Sequence, residues 1–313
     1  MLLFLARRAI AGLILLAAAS TGTFFLAHLA ISDPTQALLG TAATPEQSAA
    51  LAAKLGLDRP ILVQYWDWAG AAVRGDLGVS WRNERAVVDL LALRVPVTLS
   101  VVGFAVFIAG VFGTLVGLIG GLNPGSVFDR MVQGITVILF ALPGFWLSLL
   151  LILWFAIWLK WFPAVGYVQL SDDPLGWLRS ISLPSISLSL GAIVMVAEQL
   201  RNQVIAVSKL DYVRTLQSRG LPARRVRLHI LRNAAPAALT VLAIMFASLL
   251  SGAVVVEAIF SLPGLGELTQ SSAQIGDIPS LLGITVVSVF FVVVIYILLD
   301  MAIGWINPKV RVH

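Results

Sequence analysis

Six stretches of the chain run apolar for long enough to cross a lipid bilayer: Ala9–Ile31, Val97–Leu122, Val132–Leu159, Leu183–Ala197, Ala237–Val256 and Ser280–Trp305. The fourth is the shortest. None alternates with the period of a strand, and a helix needs about 20 such residues to span a hydrocarbon core of roughly 30 Å. Only helices and closed barrels satisfy every backbone polar group in hydrocarbon, so the pattern predicts an all-α fold, a polytopic membrane helix bundle of about six transmembrane helices.

Between the runs lie a long polar segment, Ser32–Pro96, a short turn, Asn123–Met131, and loops at Lys160–Ser182 and Glu257–Pro279; a basic stretch covers Glu198–Pro236. This divides the chain into an N-terminal span (1–31), an outer segment (32–96), a five-helix core (97–305) containing the basic loop 198–236, and a tail (306–313). Inside the outer segment, Ser48–Leu55 reads as a helix entered at Pro45 and stopped by Gly56, and Pro60–Val73, with Tyr65, Trp66 and Trp68, reads as an amphipathic stretch. Such a stretch suits either the membrane surface or a small folded cap.

Composition agrees with a chain that lives in lipid: 59% of the 313 residues are hydrophobic and 12% charged, too little polar surface to cover a soluble domain. The start, Arg7-Arg8 followed by an apolar run ending in Ala27-His28-Leu29-Ala30, imitates a secretory signal. Its run of more than 20 residues exceeds the roughly 7–15 of a signal core, so an uncleaved first helix is expected.

Charge placement orients the bundle. Arg7, Arg8, Arg130, eight Lys and Arg from Arg201 to Arg232, Lys309 and Arg311 fall on one side of the alternating topology. Asp58, Asp67, Asp76, Glu84, Asp89, Asp172, Asp173, Glu267 and Asp277 fall on the other. The positive-inside rule makes the first side cytoplasmic and puts both termini there. Trp154, Trp158 and Trp161 at one end of the third run, and Trp305 at the end of the sixth, fit interfacial belts.

Gly113, Gly117 and Gly121 share a helix face and predict close backbone approach, within the bundle or across a subunit interface. Pro143-Gly144 predicts a kink in the third span. No Lys or Arg sits in mid-span, and Glu198, Glu257 and Asp300 lie near span ends, which disfavours a proton- or sodium-coupled carrier. With no cysteine, histidines only at 28, 229 and 313, and neither a GxSxG elbow nor a GxxxxGK[ST] phosphate loop, no catalytic, metal or cofactor site is expected.

In the basic stretch, Leu210, Val213 and Leu216 mark one short helix that Gly220 ends, and Pro222 starts a second in which Ala223, Val226 and Ile230 share a face. A basic helix–turn–helix suggests nucleic acid, but its place between two spans argues against that partner. An anchor on anionic lipid, an ordinary inside loop and a docking surface for a cytoplasmic partner all fit the composition.

Here the residues resemble a known family. Asp211-Tyr212-Val213-Arg214-Thr215, Ser218-Arg219-Gly220-Leu221 and Ile230-Leu231-Arg232-Asn233-Ala234 with Pro236 are similar to the cytoplasmic "EAA" loop of ABC importer permeases, and more narrowly to the dipeptide/oligopeptide/nickel branch. The resemblance continues through Leu55–Pro60, Gln64-Tyr65, Gly75–Gly78, Pro96–Leu99, Glu257–Gly266, Asp277–Pro279 and Asn307-Pro308-Lys309-Val310-Arg311. Arg214 and Thr215-Leu216 occupy the general motif's glutamate and alanine positions, and Glu198 stands where the branch commonly has a basic residue.

The resemblance implies the ABC type I importer permease fold and a non-catalytic subunit of a bacterial inner-membrane importer, of the kind encoded first of two permeases. It also implies a second related permease, cytoplasmic ATPase subunits that hydrolyse the ATP, and an extracytoplasmic substrate-binding protein. Coupling to the ATPase falls on Asp211, Tyr212, Arg214, Thr215, Arg219, Gly220, Leu221, Arg232 and Asn233, and an outer gate or binding-protein contact on Pro263, Gly264, Leu265 and Gly266. Short peptides are the implied cargo, with nickel chelates, haem or glycosides as alternatives. A carrier or channel working alone is the competing class, and an intramembrane enzyme ranks last.

Overall fold

The computed structural model describes residues 2–31, 34–40 and 43–306, with side chains from Arg7 onward. Ser32 and the tail beyond Ile306, with its Asn307–Arg311 run, lie outside the described residues. The elements are α1 (Leu2–Ala30), α2 (Pro34–Leu39), α3 (Pro45–Leu55), α4 (Ile61–Ala72), α5 (Val87–Leu122), α6 (Val127–Ala141), α7 (Gly144–Leu151, continued by a π-helical segment Ile152–Trp158), α8 (Pro174–Ser208), α9 (Asp211–Ser218), α10 (Ala223–Phe260), α11 (Leu265–Ile275) and α12 (Ile278–Ile306). Among the described residues the extended pairing is limited to one antiparallel bridge, Val79 with Ala86.

Helices α1, α5, α8, α10 and α12 are each long and apolar enough to cross a membrane. The third predicted span is not one kinked helix: α6 and α7 meet at 103°, giving six spans if that pair counts as one. The cause is local. The ring of Pro143 drives the preceding residue out of helical geometry, and Leu142 is extended (φ −92°, ψ 132°), as is Pro143 itself (φ −62°, ψ 134°). Two extended residues in succession turn the chain through a corner.

Three other boundaries move outward from the apolar runs. The fourth span, expected over Leu183–Ala197, is part of the 35-residue α8, which absorbs the end of the predicted loop and the start of the basic stretch. Asp173 caps it by accepting from the Leu175 N–H at 3.0 Å, and Pro174 opens it. The buried serines that lower its hydropathy return their hydroxyls locally or to neighbours: Ser182 to the Leu178 carbonyl (2.6 Å), Ser185 to the Val101 carbonyl (2.9 Å), Ser187 with Ser148 (2.6 Å). The second span starts at Val87, not Val97, with Pro96 inside the helix. The fifth is one with the second half of the basic loop, a 38-residue α10 that contains Pro236 and ends at Ser261 in left-handed geometry (φ 51°).

The described chain divides into two compact units, one of Leu2–Thr98 with Pro263–Val293 and one of Leu99–Leu262 with Val294–Ile306; α5 and α12 each contribute to both. In the first unit, α3 and α4 follow the sequence reading. Thr44 and Gln47 form a reciprocal capping box, and Gly56 closes α3 in the left-handed region (φ 71°). The Thr21 hydroxyl meets that of Tyr65 at 2.6 Å, tying α1 to α4. Phe24, Ala27, Ile278 and Leu282 form one apolar cluster, bordered by Tyr65, Trp68 and Trp81; Leu77, Val87, Leu91, Leu265, Leu268 and Ile284 belong to another.

In the second unit the glycine face of α5 lies against α8. A Cβ on Gly117 would stand 2.5 Å from the Ala197 carbonyl oxygen, and one on Gly121 2.7 Å from Val204 Cβ. The four-residue spacing therefore serves packing within this chain.

Candidate coupling surface and outer turn

Helix α9 is eight residues long and is joined to α8 by Lys209 and Leu210 and to α10 by the four residues Arg219–Pro222. Leu210 is extended (ψ 145°), which lets Asp211 begin a new helix instead of prolonging α8. At its other end Gly220 takes φ +74°, its N–H bonding the Gln217 carbonyl at 2.9 Å and Leu221 reaching back to Leu216 at 3.3 Å. Only glycine adopts that region freely. No atom lies within 4 Å of where a Gly220 Cβ would be, so backbone geometry and not crowding selects the residue.

Helix α9 packs on α10. Val213, Val226, Ile230 and Ala234 are buried, while Ala223, expected on the same face, is exposed. Tyr212 is half-buried; its hydroxyl is shielded from solvent, with the Asn233 side chain beside it but not in ordinary hydrogen-bond geometry. Burial pushes the Tyr212 phenol up from its usual pKa, keeping it neutral. The Asn233 amide donates to the His229 carbonyl at 2.9 Å.

The remaining predicted coupling residues face outward. Asp211, Arg214, Thr215, Arg219, Gly220 and Arg232 are exposed, and Leu221 is half-buried. Asp211 and Arg214 approach to 3.9 Å, a solvated pair of small energetic weight. With Lys209, Arg224, Arg225 and Arg227 also exposed, the two sides of the Gly220 corner present a concentrated positive charge. Chemically this surface can seat an anionic partner; it has neither a nucleophile paired to a base nor, among the described residues, a cluster of metal ligands.

The second predicted group belongs to the other unit and is held rather than loose. Gly264 precedes α11, and Gly264, Leu265 and Gly266 are buried while Pro263 is exposed. The Leu265 N–H donates to Thr98 Oγ1 at 2.8 Å, and Arg94 pairs with Glu267 at 2.6 Å. These residues form the start of a pinned helix, because the Thr98 hydroxyl takes up one of the N-terminal donors that a helix leaves unmet.

Sequence reasoning missed Asp129. Its side chain is 1% exposed and is gripped by Arg201, Nε to Oδ1 at 2.5 Å and Nη2 to Oδ2 at 2.8 Å. It also accepts from the Gly125 N–H (2.8 Å) and Gln133 Nε2 (3.2 Å). The available signal was Ser126-x-x-Asp129 at a helix start, where the Ser126 hydroxyl accepts the Asp129 N–H at 3.2 Å.

Residues 113–312 match the family model "Binding-protein-dependent transport system inner membrane component", and residues 1–102 match its N-terminal companion, "Binding-prot-dependent transport system membrane comp, N-term". A putative peptide transport system permease protein of Brucella abortus (strain 2308) is 36% identical over 290 residues, covering 92% of each chain. The di/tripeptide transport system permease protein DppB of Pseudomonas aeruginosa (strain UCBPP-PA14) is 33% identical over 311 residues, covering 92% of this chain and 93% of that one. Among solved structures, an inward-facing conformation of the MetNI methionine ABC transporter superposes with a TM-score of 0.53 at 19% identity, over 70% of this chain and 98% of that one, a likeness of fold.

Proposed function

Because the chain belongs to the family of binding-protein-dependent transport system inner membrane components, we propose that it is the permease subunit forming half of the pore of an ATP-driven importer of short peptides. A second related permease completes the pore, cytoplasmic ATPase subunits drive it, and an extracytoplasmic binding protein delivers the cargo. Both termini and α9 lie on the cytoplasmic side, following the placement of Lys and Arg. Peptide cargo is what the names of relatives 33–36% identical over 92% of this chain describe.

The observation that carries the coupling role is the build of α9: a short helix with buried Val213 beneath and Arg214, Thr215 and Arg219 on top, joined to α8 and α10 by two and four residues. A displacement of α9 has little slack to absorb it, so rigid-body motion of an ATPase seated there passes into α8 and α10. Tyr212–Gly220 enters the ATPase groove, and Arg214 and Arg219 meet acids in it. Pro263–Gly266 and the pinned start of α11 contribute to the outer gate or the binding-protein contact.

The test is the reconstituted importer in proteoliposomes, measuring ATP hydrolysis and uptake of labelled dipeptide. Loaded binding protein is expected to stimulate hydrolysis in the wild type, and Gly220→Trp to lose both stimulation and uptake while still inserting in the membrane. Undiminished stimulation in that variant overturns the coupling role of α9, and failure of the wild type to take up dipeptides overturns the cargo.

A further inference from the structure

The unit formed by Leu2–Thr98 and Pro263–Val293 contains a pocket of about 620 Å³, within the range of small-molecule sites. Phe24 of α1, Trp68 of α4, Trp81 of the loop before α5 and Leu282 of α12 supply apolar lining. The charged lining consists of two acid–base pairs: Lys54 Nζ to Glu84 Oε1 at 3.4 Å, and Arg59 Nη2 to Asp67 Oδ2 at 2.5 Å. Two cations and two carboxylates around an aromatic interior complement a molecule that carries one ammonium and one carboxylate. Both pairs are solvated, hence weak, and a ligand's charged ends replace either partner at little cost.

The pocket is built rather than incidental. Its loop 78–84 is fastened by the buried Asp277, which accepts from the Ser80 hydroxyl at 2.5 Å and the Trp81 N–H at 3.1 Å. Glu84, at the end of that loop, holds φ +52°, a left-handed conformation that a non-glycine residue keeps only when its surroundings impose it, and such strain gathers at ligand clamps.

We propose that this pocket binds a short unblocked peptide, with its ammonium on Asp67 and Glu84, its carboxylate on Lys54 and Arg59, and its side chains against Trp68 and Trp81. The permease then reads both peptide termini itself, in addition to any selection by a binding protein. The inference rests on the peptide cargo proposed above. A phosphoethanolamine lipid headgroup carries the same pair of charges, and the experiment separates the two sources.

The full importer, without binding protein, is placed in nanodiscs of phosphatidylcholine and phosphatidylglycerol and titrated calorimetrically with alanyl-alanine and with its N-acetylated, C-amidated form. Saturable binding of the free dipeptide is expected, at least tenfold weaker for the blocked form and for Lys54→Met and Asp67→Asn, and unchanged when phosphatidylethanolamine is added to the discs. The Lys54 side chain is 71% exposed and that of Asp67 58%, so these substitutions leave the fold intact. Equal binding of free and blocked dipeptide, or unaltered binding by both variants, overturns the inference; loss of dipeptide binding to discs containing phosphatidylethanolamine overturns it by assigning the pocket to lipid. Binding-protein-dependent uptake of labelled alanyl-alanine is measured on the same wild-type complex. Uptake without binding in the titration overturns the pocket assignment alone, whereas absence of both overturns the peptide reading with it.

Discussion

Arg201 grips Asp129 with two parallel hydrogen bonds, 2.5 Å and 2.8 Å, across a sequence separation of 72 residues. The pair fixes the first turn of α6 to α8, ten residues before α9 begins, and Gly120 makes room for it: a Cβ there would stand 3.1 Å from Oδ1. Removing one member of a buried pair costs about 3–5 kcal/mol, since the other charge is left uncompensated. The two members differ in burial, with Asp129 at 1% and Arg201 at 21% side-chain exposure. Arg201→Met is therefore expected to lower the thermal midpoint of the detergent-solubilised complex more than Asp129→Ala, whose orphaned guanidinium reaches solvent. Equal midpoints for the two variants contradict this asymmetry.

The glycine seam between α5 and α8 gives a second expectation. Alanine at Gly117 meets the Ala197 carbonyl oxygen at 2.5 Å, backbone that cannot swing aside, so the helices must separate. Overpacking of this kind costs about 1–3 kcal/mol. Gly103, on the same helix, has nothing within 4 Å of its Cβ position. Gly117→Ala is expected to reduce the yield of folded, monodisperse protein in size-exclusion chromatography, and Gly103→Ala to leave it unchanged.

What the sequence disclosed divides by the range of the cause. The limits of α3 were legible because Pro45 and Gly56 act within a dozen residues, and the glycine spacing on α5 announced a close approach without naming its partner. The full length of α8 was hidden because it runs beyond Leu183–Ala197 into residues that read as polar, Ser180 and Ser182 before it and Glu198 and Arg201 after it, until the serine hydroxyls are traced to carbonyls of their own helix and Arg201 to Asp129, 72 residues away. The α6–α7 corner was half legible: Pro143 announced a disturbance, but its size depends on Leu142 also being extended. In the coupling surface the Gly220 corner could be read locally, while the pinning of Leu265 by Thr98 joins residues 167 positions apart.

Gly220 offers a graded test of backbone geometry as distinct from bulk. Left-handed conformation costs an ordinary L-residue roughly 1–2 kcal/mol, and asparagine tolerates it better than alanine or a β-branched residue. Since no atom lies within 4 Å of the Cβ position, uptake in proteoliposomes is expected to fall in the order Gly, Asn, Ala, Val, following φ preference and not side-chain volume. A ranking in which Ala outperforms Asn would show that size governs the corner.

Asp277 governs the loop that precedes α5. Its carboxylate, 2% exposed, takes hydrogen bonds from the Ser80 hydroxyl (2.5 Å), the Trp81 N–H (3.1 Å), the Ser280 hydroxyl (2.7 Å) and the Ser280 N–H (3.4 Å). Asparagine preserves one oxygen acceptor and alanine none, so the buried donor at Ser80 and the half-buried one at Trp81 lose more partners in Asp277→Ala than in Asp277→Asn. Each donor left unmet costs about 1–3 kcal/mol, and the loss falls on the loop because Ser280 is already held within the first turn of α12. Amide exchange of peptides spanning residues 78–86 is expected to accelerate strongly in Asp277→Ala, moderately in Asp277→Asn, and not at all over α3, whose capping box is independent of Asp277. Uniform acceleration across the unit would mean that Asp277 stabilises the whole fold and does not fasten this loop in particular.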